Sequence, residues 1–143
     1  MNECHNGNIR IKVVTIFLMH EGKILILKRS AKVRTMKGMW AGISGYLEVE
    51  DPFVQAIIEI REECGLLESQ VNFLRRAEPM EARDVQLPNT VWIVYPYLFE
   101  SSTKSVKLDW EHDDYAWIMP NNLGNYKTVP RLNDALEKLL EYR

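Results

Sequence analysis

Ile9 to His20 is rich in β-branched and aromatic residues, and Lys23 to Lys28 repeats the pattern after Glu21-Gly22. Two antiparallel strands around a tight turn are predicted. Ser30 to Gly38 shows no clean period and reads as a loop leading into a short strand, Trp40 to Glu48. That strand carries Gly42, Ser44 and Gly45 where a packed strand would carry bulk. At Asp51-Pro52 the period changes. An N-cap acceptor precedes proline at the first helical position, Phe53, Ile57, Ile60 and Cys64 recur at helical spacing, and Gly65 supplies the stop. Val71 to Phe73 and the very apolar Val91 to Phe99 are predicted strands, with Pro96 marking a bulge or an edge, and Ala116 to Met119 is a shorter one. The chain closes on a helix opened by Pro130, with Leu132, Ala135, Leu136, Leu139 and Leu140 on one stripe. Strands surrounding two amphipathic helices make a mixed sheet with helices on its faces the natural architecture, an α+β or α/β fold. The segments Arg75 to Asn89 and Pro120 to Pro130 read as loops.

Composition narrows the picture. With 143 residues, 46% hydrophobic and 27% charged, the chain has the size of one globular domain spanning 1–143. Its 18 basic and 20 acidic side chains are well mixed and leave a formal net charge of −2, so no basic stripe exists to neutralise a nucleic-acid backbone. The two cysteines, Cys4 and Cys64, form no Cys-x-x-Cys pair, which suggests neither a disulfide framework nor a zinc site and fits reduced cytosol. Met1 to Asn8 is polar, and the longest apolar stretch, Thr90 to Phe99, is too short to span a bilayer. A cytoplasmic chain with no membrane partner is expected.

One cluster of charge resists a structural explanation. Glu59, Glu62 and Glu63 stand at i, i+3 and i+4, which puts three carboxylates on one helix face with no lysine or arginine to neutralise them. Such a face is mildly unfavourable in water and more so beside a packed sheet; a divalent cation removes the penalty. Hard ions such as Mg²⁺ take carboxylate oxygens, keep several waters and complete their shell with phosphate oxygens.

The surrounding order of residues resembles the Nudix family. Its signature runs glycine, five residues, glutamate, seven residues, then Arg-Glu-apolar-x-Glu-Glu-x-Gly-apolar. Here the second part reads Glu59-Ile60-Arg61-Glu62-Glu63-Cys64-Gly65-Leu66, and every defining position after the arginine is met. Upstream, Gly45-Tyr46-Leu47-Glu48-Val49-Glu50 aligns Gly45 with the motif glycine and Glu50 with its first glutamate. Two departures stand out. The spacing from Gly45 to Glu50 is one residue short, and Ile58 occupies the position of the arginine that in the family helps hold the glutamates in place; Arg61 is the adjacent candidate to replace it. Gly38-Met39-Trp40 before the box, and the Glu-His-x-x-Tyr-x-Trp segment with the helix after it, extend the resemblance over most of the chain.

The resemblance implies a Nudix fold, an α/β/α sandwich with a mixed central sheet, and hydrolysis of a diphosphate bond in a nucleoside diphosphate linked to another moiety. It implies Mg²⁺ or Mn²⁺ held by Glu59, Glu62 and Glu63, with the Ser44 carbonyl as a further ligand. For the general base it offers Glu63, Glu62 or, outside the box, Glu111, whereas His112 reads as structural. Among Lys28, Arg29, Arg34 and Lys37, Arg29 is the first choice to meet phosphate. Trp40, Tyr46 and Tyr126 are the aromatics that could stack on a base, and Gly45 and Glu48 complete the expected substrate-binding set. The expected partner is a small nucleotide, and a homodimer stays open because family members often dimerise. Two rivals remain: a Nudix-like binding module without turnover, and an isopentenyl diphosphate isomerase, which would need a cysteine near Trp40 that the sequence lacks.

Overall fold

The computed structural model describes residues 2–5, 8–84 and 86–140. Strand β2 (Asn8–His20) is its spine. One edge of β2 runs parallel to β8 (Thr90–Ser101), from Ile9 opposite Thr90 to Met19 opposite Glu100. The other edge meets β1 (Asn2–His5), β5 (Ile43–Tyr46) and β3 (Lys23–Arg29) in turn, all antiparallel.

The expected turn at Glu21-Gly22 forms, with both residues at positive φ. Beyond it the hairpin splits. β2 and β3 pair only at Met19–Ile24 and His20–Lys23, then diverge, and the fork is filled by β4 (Trp40–Ala41) on β3 and β5 on β2. The expected single strand Trp40 to Glu48 is therefore two short strands that change partner at Gly42 and end at Tyr46. A β-carbon on Gly42 would lie 2.8 Å from the Ile16 carbonyl oxygen, so the crossing needs a glycine. The second edge of β3 pairs with β9 (His112–Ile118).

β6 (Val71–Arg76) and β7 (Met80–Ala82) pair antiparallel with β8. Pro96 lies at the passage between them, and the bulge falls in β6, between Phe73 and Arg75. β7 corrects the reading of Arg75 to Asn89 as plain loop: Met80 and Ala82 are buried around exposed Glu81, but three residues are too few for alternation to register as a pattern. In Pro120 to Pro130, Pro120–Asn125 forms 3₁₀ turns.

Alternation along the central strands sorts the core into two faces. Val14, Ile16, Leu18, Leu25 and Leu27 pack with Ala56, Ile60 and Cys64 of α1 (Pro52–Cys64). Phe17, Ile24 and Ile26 pack with Leu132, Ala135, Leu136 and Leu139 of α2 (Leu132–Leu140). The result is a mixed sheet between helices. α1 begins as its sequence demands: Phe53 N donates to Asp51 Oδ1 at 2.9 Å and Pro52 takes the first position. Gly65 ends it at φ 73°. α2 starts at Leu132 rather than at Pro130, because Arg131 stands at φ 64° and interrupts the helical path. Among the described residues, no helix is long and apolar enough to cross a membrane.

Candidate active site

The inward stripe of α1 carries Gln55, Glu59 and Glu63 one turn apart, so three polar side chains enter a face that otherwise buries Ala56, Ile60 and Cys64. Glu59 is 8% exposed and Glu63 2%. Their carboxyl groups act on one another, and two adjacent buried carboxyls favour a state in which one keeps a proton. Burial raises the Glu59 pKa above the usual carboxylate range. The Glu63 carboxyl is pushed well above it, first by burial and then by its neighbours Glu59, Glu111 and Asp109. Glu62, on the same side of the helix, is exposed.

β5 brings backbone to this pair. Ser44 N donates to Glu63 Oε1 over a long 3.4 Å, and because the N–H and C=O of an extended residue leave the same edge, the Ser44 carbonyl faces the same side. At Gly45 a β-carbon would overlap the Glu59 carboxyl group. The motif glycine is thus a passage for a glutamate side chain. Behind Glu63 stands buried His112, with Nε2 3.7 Å from Glu63 Oε1 and Nδ1 3.1 Å from Asp109 Oδ1. Burial lowers the His112 pKa, which favours a neutral ring whose Nδ1–H donates to Asp109.

These groups open into a cleft of about 1030 Å³. From β2 it is lined by Ile11, Val13 and Thr15, on the opposite face from Val14 and Ile16; Glu59, Glu62 and Glu63 reach it past Ser44 and Gly45. Glu111 lines it as well, its carboxyl pushed up by burial and by Asp109 and drawn down by Arg29. Arg29 is steadied by a hydrogen bond from its Nε to the Thr35 carbonyl at 3.1 Å. Arg34 joins it on the wall, whereas Lys28 and Lys37 are not among the lining residues. Glu48 and Tyr46 stand at the rim, and Tyr46 is 57% exposed and stacks on Trp92 with centroids 6.3 Å apart.

Trp40 and Tyr126 belong elsewhere. They pack edge-to-face against each other, 5.3 Å apart, in the core on the α2 side, so the expected stacking role of Trp40 is corrected: its β4 position directs the ring into packing rather than into the cleft. Arg61 is exposed. Two contributors escaped the sequence reading: Gln55, and Arg131, which lines the cleft and donates from Nη1 to the Glu81 carbonyl at 2.7 Å; for His112, read as structural, the sequence did not show its partner Asp109. A glutamine on an apolar stripe four residues before a suspected ligand is the signal that marks Gln55.

The donor set suits a hard divalent cation in an open site. As the side chains stand, no three His, Cys, Asp or Glu groups among the described residues close around one point. What the chain offers is two converging buried carboxyls with a third at the rim, enough for Mg²⁺, which takes one or two carboxylates from protein when phosphate and water complete its shell. Any proton that the raised pKa values keep on the pair is what such an ion would displace.

Comparison with known proteins identifies the family. The NUDIX domain profile matches residues 9–140. Nucleoside triphosphatase NudI of Klebsiella pneumoniae (strain 342) is 30% identical over 125 residues, covering 80% of this chain and 85% of its own. NudI of Escherichia coli O1:K1 / APEC is 26% identical over 138 residues, covering 92% and 94%. Among solved structures, a C. elegans Ap4A hydrolase in a binary complex superposes with a TM-score of 0.75 over 90% of this chain and 94% of its own, at 18% identity, a likeness of fold. The chain belongs to the Nudix family, and it is a Nudix-type hydrolase.

Proposed function

We propose that this hydrolase cleaves a diphosphate bond in a nucleoside di- or triphosphate derivative, with Mg²⁺ or Mn²⁺ held by Glu59, Glu62 and Glu63 and by the Ser44 carbonyl, in a single domain that spans 1–143. The observation that carries this reading is the buried Glu59–Glu63 carboxyl pair, met by the Ser44 N–H, at the wall of a cleft that also presents Arg29, Arg34 and Arg131. Carboxyls alone would repel a phosphate. Together with cationic side chains and a divalent ion they bind one.

A cation bound there shields phosphate charge and acidifies a coordinated water. The residues of the chain supply the rest. Arg29, fixed through Thr35, turns its guanidinium to the phosphates, and Tyr46 offers an exposed ring to a base. Glu111 is the preferred proton acceptor: it lines the cleft, and a carboxyl raised towards neutrality is a better base near neutral pH than an ordinary one. Glu63 is hemmed in by Ser44, His112 and Glu59 and fits a holding role better.

A panel of nucleoside triphosphates, dinucleoside polyphosphates, nucleotide sugars and ADP-ribose, assayed with Mg²⁺ and with Mn²⁺, tests the proposal. At least one substrate class is expected to yield phosphate or a nucleoside monophosphate, only with metal, and Glu62→Gln or Glu63→Gln abolishes the release. Turnover that persists without metal, or in both variants, overturns the assignment.

A further inference from the structure

Gln55 is 1% exposed, and each of its three side-chain hydrogen bonds has a purpose. Its Oε1 accepts from the backbone N–H of Glu48 at 2.8 Å and of Val49 at 3.1 Å, in the segment joining β5 to α1. Its Nε2 donates to Glu59 Oε2 at 2.8 Å. With two backbone donors aimed at one end of the amide, that end must be the carbonyl oxygen, so the NH₂ group must face Glu59. On its other side the Glu59 carboxyl lies against the bare Cα of Gly45. Glu62, Glu63 and Glu111, which also act on Glu59, are all acidic. Ile58, one turn on from Gln55, is apolar and half-buried and can give no hydrogen bond.

We propose that Gln55 is the positioning residue of this site: its amide locks the Glu48–Val49 backbone to the Glu59 carboxylate and sets the orientation in which Glu59 meets the metal. The inference rests on the reading of Glu59 as a metal ligand. The amide stands in for a cation. A neutral donor holds Glu59 at fixed geometry without contributing a positive charge that would oppose a divalent ion. The same residue couples the shortened Gly45–Glu50 segment to α1, so the missing loop residue and the missing arginine are answered by one side chain.

Gln55→Glu isolates this role. The variant keeps an oxygen acceptor for the two backbone N–H groups but replaces the donor towards Glu59 with a second acceptor. Binding of Mn²⁺, read directly by the electron-spin signal of the free ion, is expected to weaken about 10–100-fold, the usual effect of removing an outer partner of a ligand. The Mg²⁺ concentration needed for half-maximal turnover moves up by a similar factor, while the nucleotide KM at saturating Mg²⁺ stays that of the wild type. If Gln55→Glu binds Mn²⁺ as tightly as the wild type, or more tightly, the positioning role is overturned while the hydrolase reading stands. A wild-type protein that binds no Mn²⁺ sinks the metal-site reading and this inference with it. Should Gln55→Glu fail to fold, the wild type still decides: the assigned Gln55 side-chain NH₂ resonances are expected to shift as Mg²⁺ is titrated in, and resonances that stay fixed while the metal binds contradict the proposal.

Discussion

The two helices of this protein lie on opposite faces of one sheet and bury opposite kinds of surface. α2 contributes Leu132, Ala135, Leu136 and Leu139 and buries no polar side chain; α1 buries Gln55, Glu59 and Glu63 beside Ala56, Ile60 and Cys64. Burying carboxyls destabilises a fold unless they are neutralised or paired. Here they are held by one another, by Gln55 and by the Ser44 N–H, an arrangement that leaves room for a cation. The lesson is a division of labour: the α2 face supplies stability, and the α1 face gives some of it up for chemistry.

The sharpest way to break that comparison is one substitution on each face. Glu63→Gln is expected to lower kcat at least about 100-fold, the loss of several kcal/mol of charge stabilisation at the phosphate. Its metal-free melting temperature should hold or rise, because a neutral amide replaces a carboxyl that burial disfavours when charged. Leu139→Ala should do the reverse. Leu139 is fully buried, so its truncation is expected to destabilise the protein by about 2–5 kcal/mol in denaturant melts while kcat of the folded protein is unchanged. Comparable losses of stability in both variants would dissolve the distinction.

pH provides a gentler probe. The carboxyls of Glu59 and Glu63 have pKa values raised above 4.5, so the folded state retains protons that the unfolded chain releases. Their stabilising contribution is full below about 4.5 and is lost as pH rises through the raised values. His112, lowered from 6.5, works in the opposite sense and removes stability as pH falls below that value. Mg²⁺ competes with protons for these carboxyls, so the rise in melting temperature it produces should grow between about pH 5 and about pH 8. Calorimetry with and without Mg²⁺ measures this, and an increment that shrinks with pH would speak against metal at the pair. The smallest effect is expected at the rim: Tyr46→Ala should raise the substrate KM about fivefold, roughly 1 kcal/mol of lost stacking, and leave kcat alone in steady-state kinetics.

Much of α1 was legible because its information is local. Asp51-Pro52, the helical period and Gly65 define its ends within one segment, and the Glu59, Glu62 and Glu63 face follows from helical geometry. The fork at Gly42 was not legible. Whether Trp40 faces the cleft or the core depends on β4 pairing with β3 while β5 pairs with β2, a choice made by strands far away in sequence. Arg131 escaped for a similar reason, since only the docking of α2 brings it beside Glu81 and into the cleft. Gln55 stood in plain view: its place on the stripe four residues before Glu59 was a signal, but its partners appear only when the backbone of Glu48 and Val49 closes on it.

The central claim, that the buried carboxyl pair of α1 is a divalent-cation site, is tested most directly by Mn²⁺ binding to the wild type and to the Glu59→Gln/Glu63→Gln double variant, followed by the electron-spin signal of the free ion. Saturable binding by the wild type that disappears in a folded double variant is the predicted result. Equal binding by the two proteins would contradict the account.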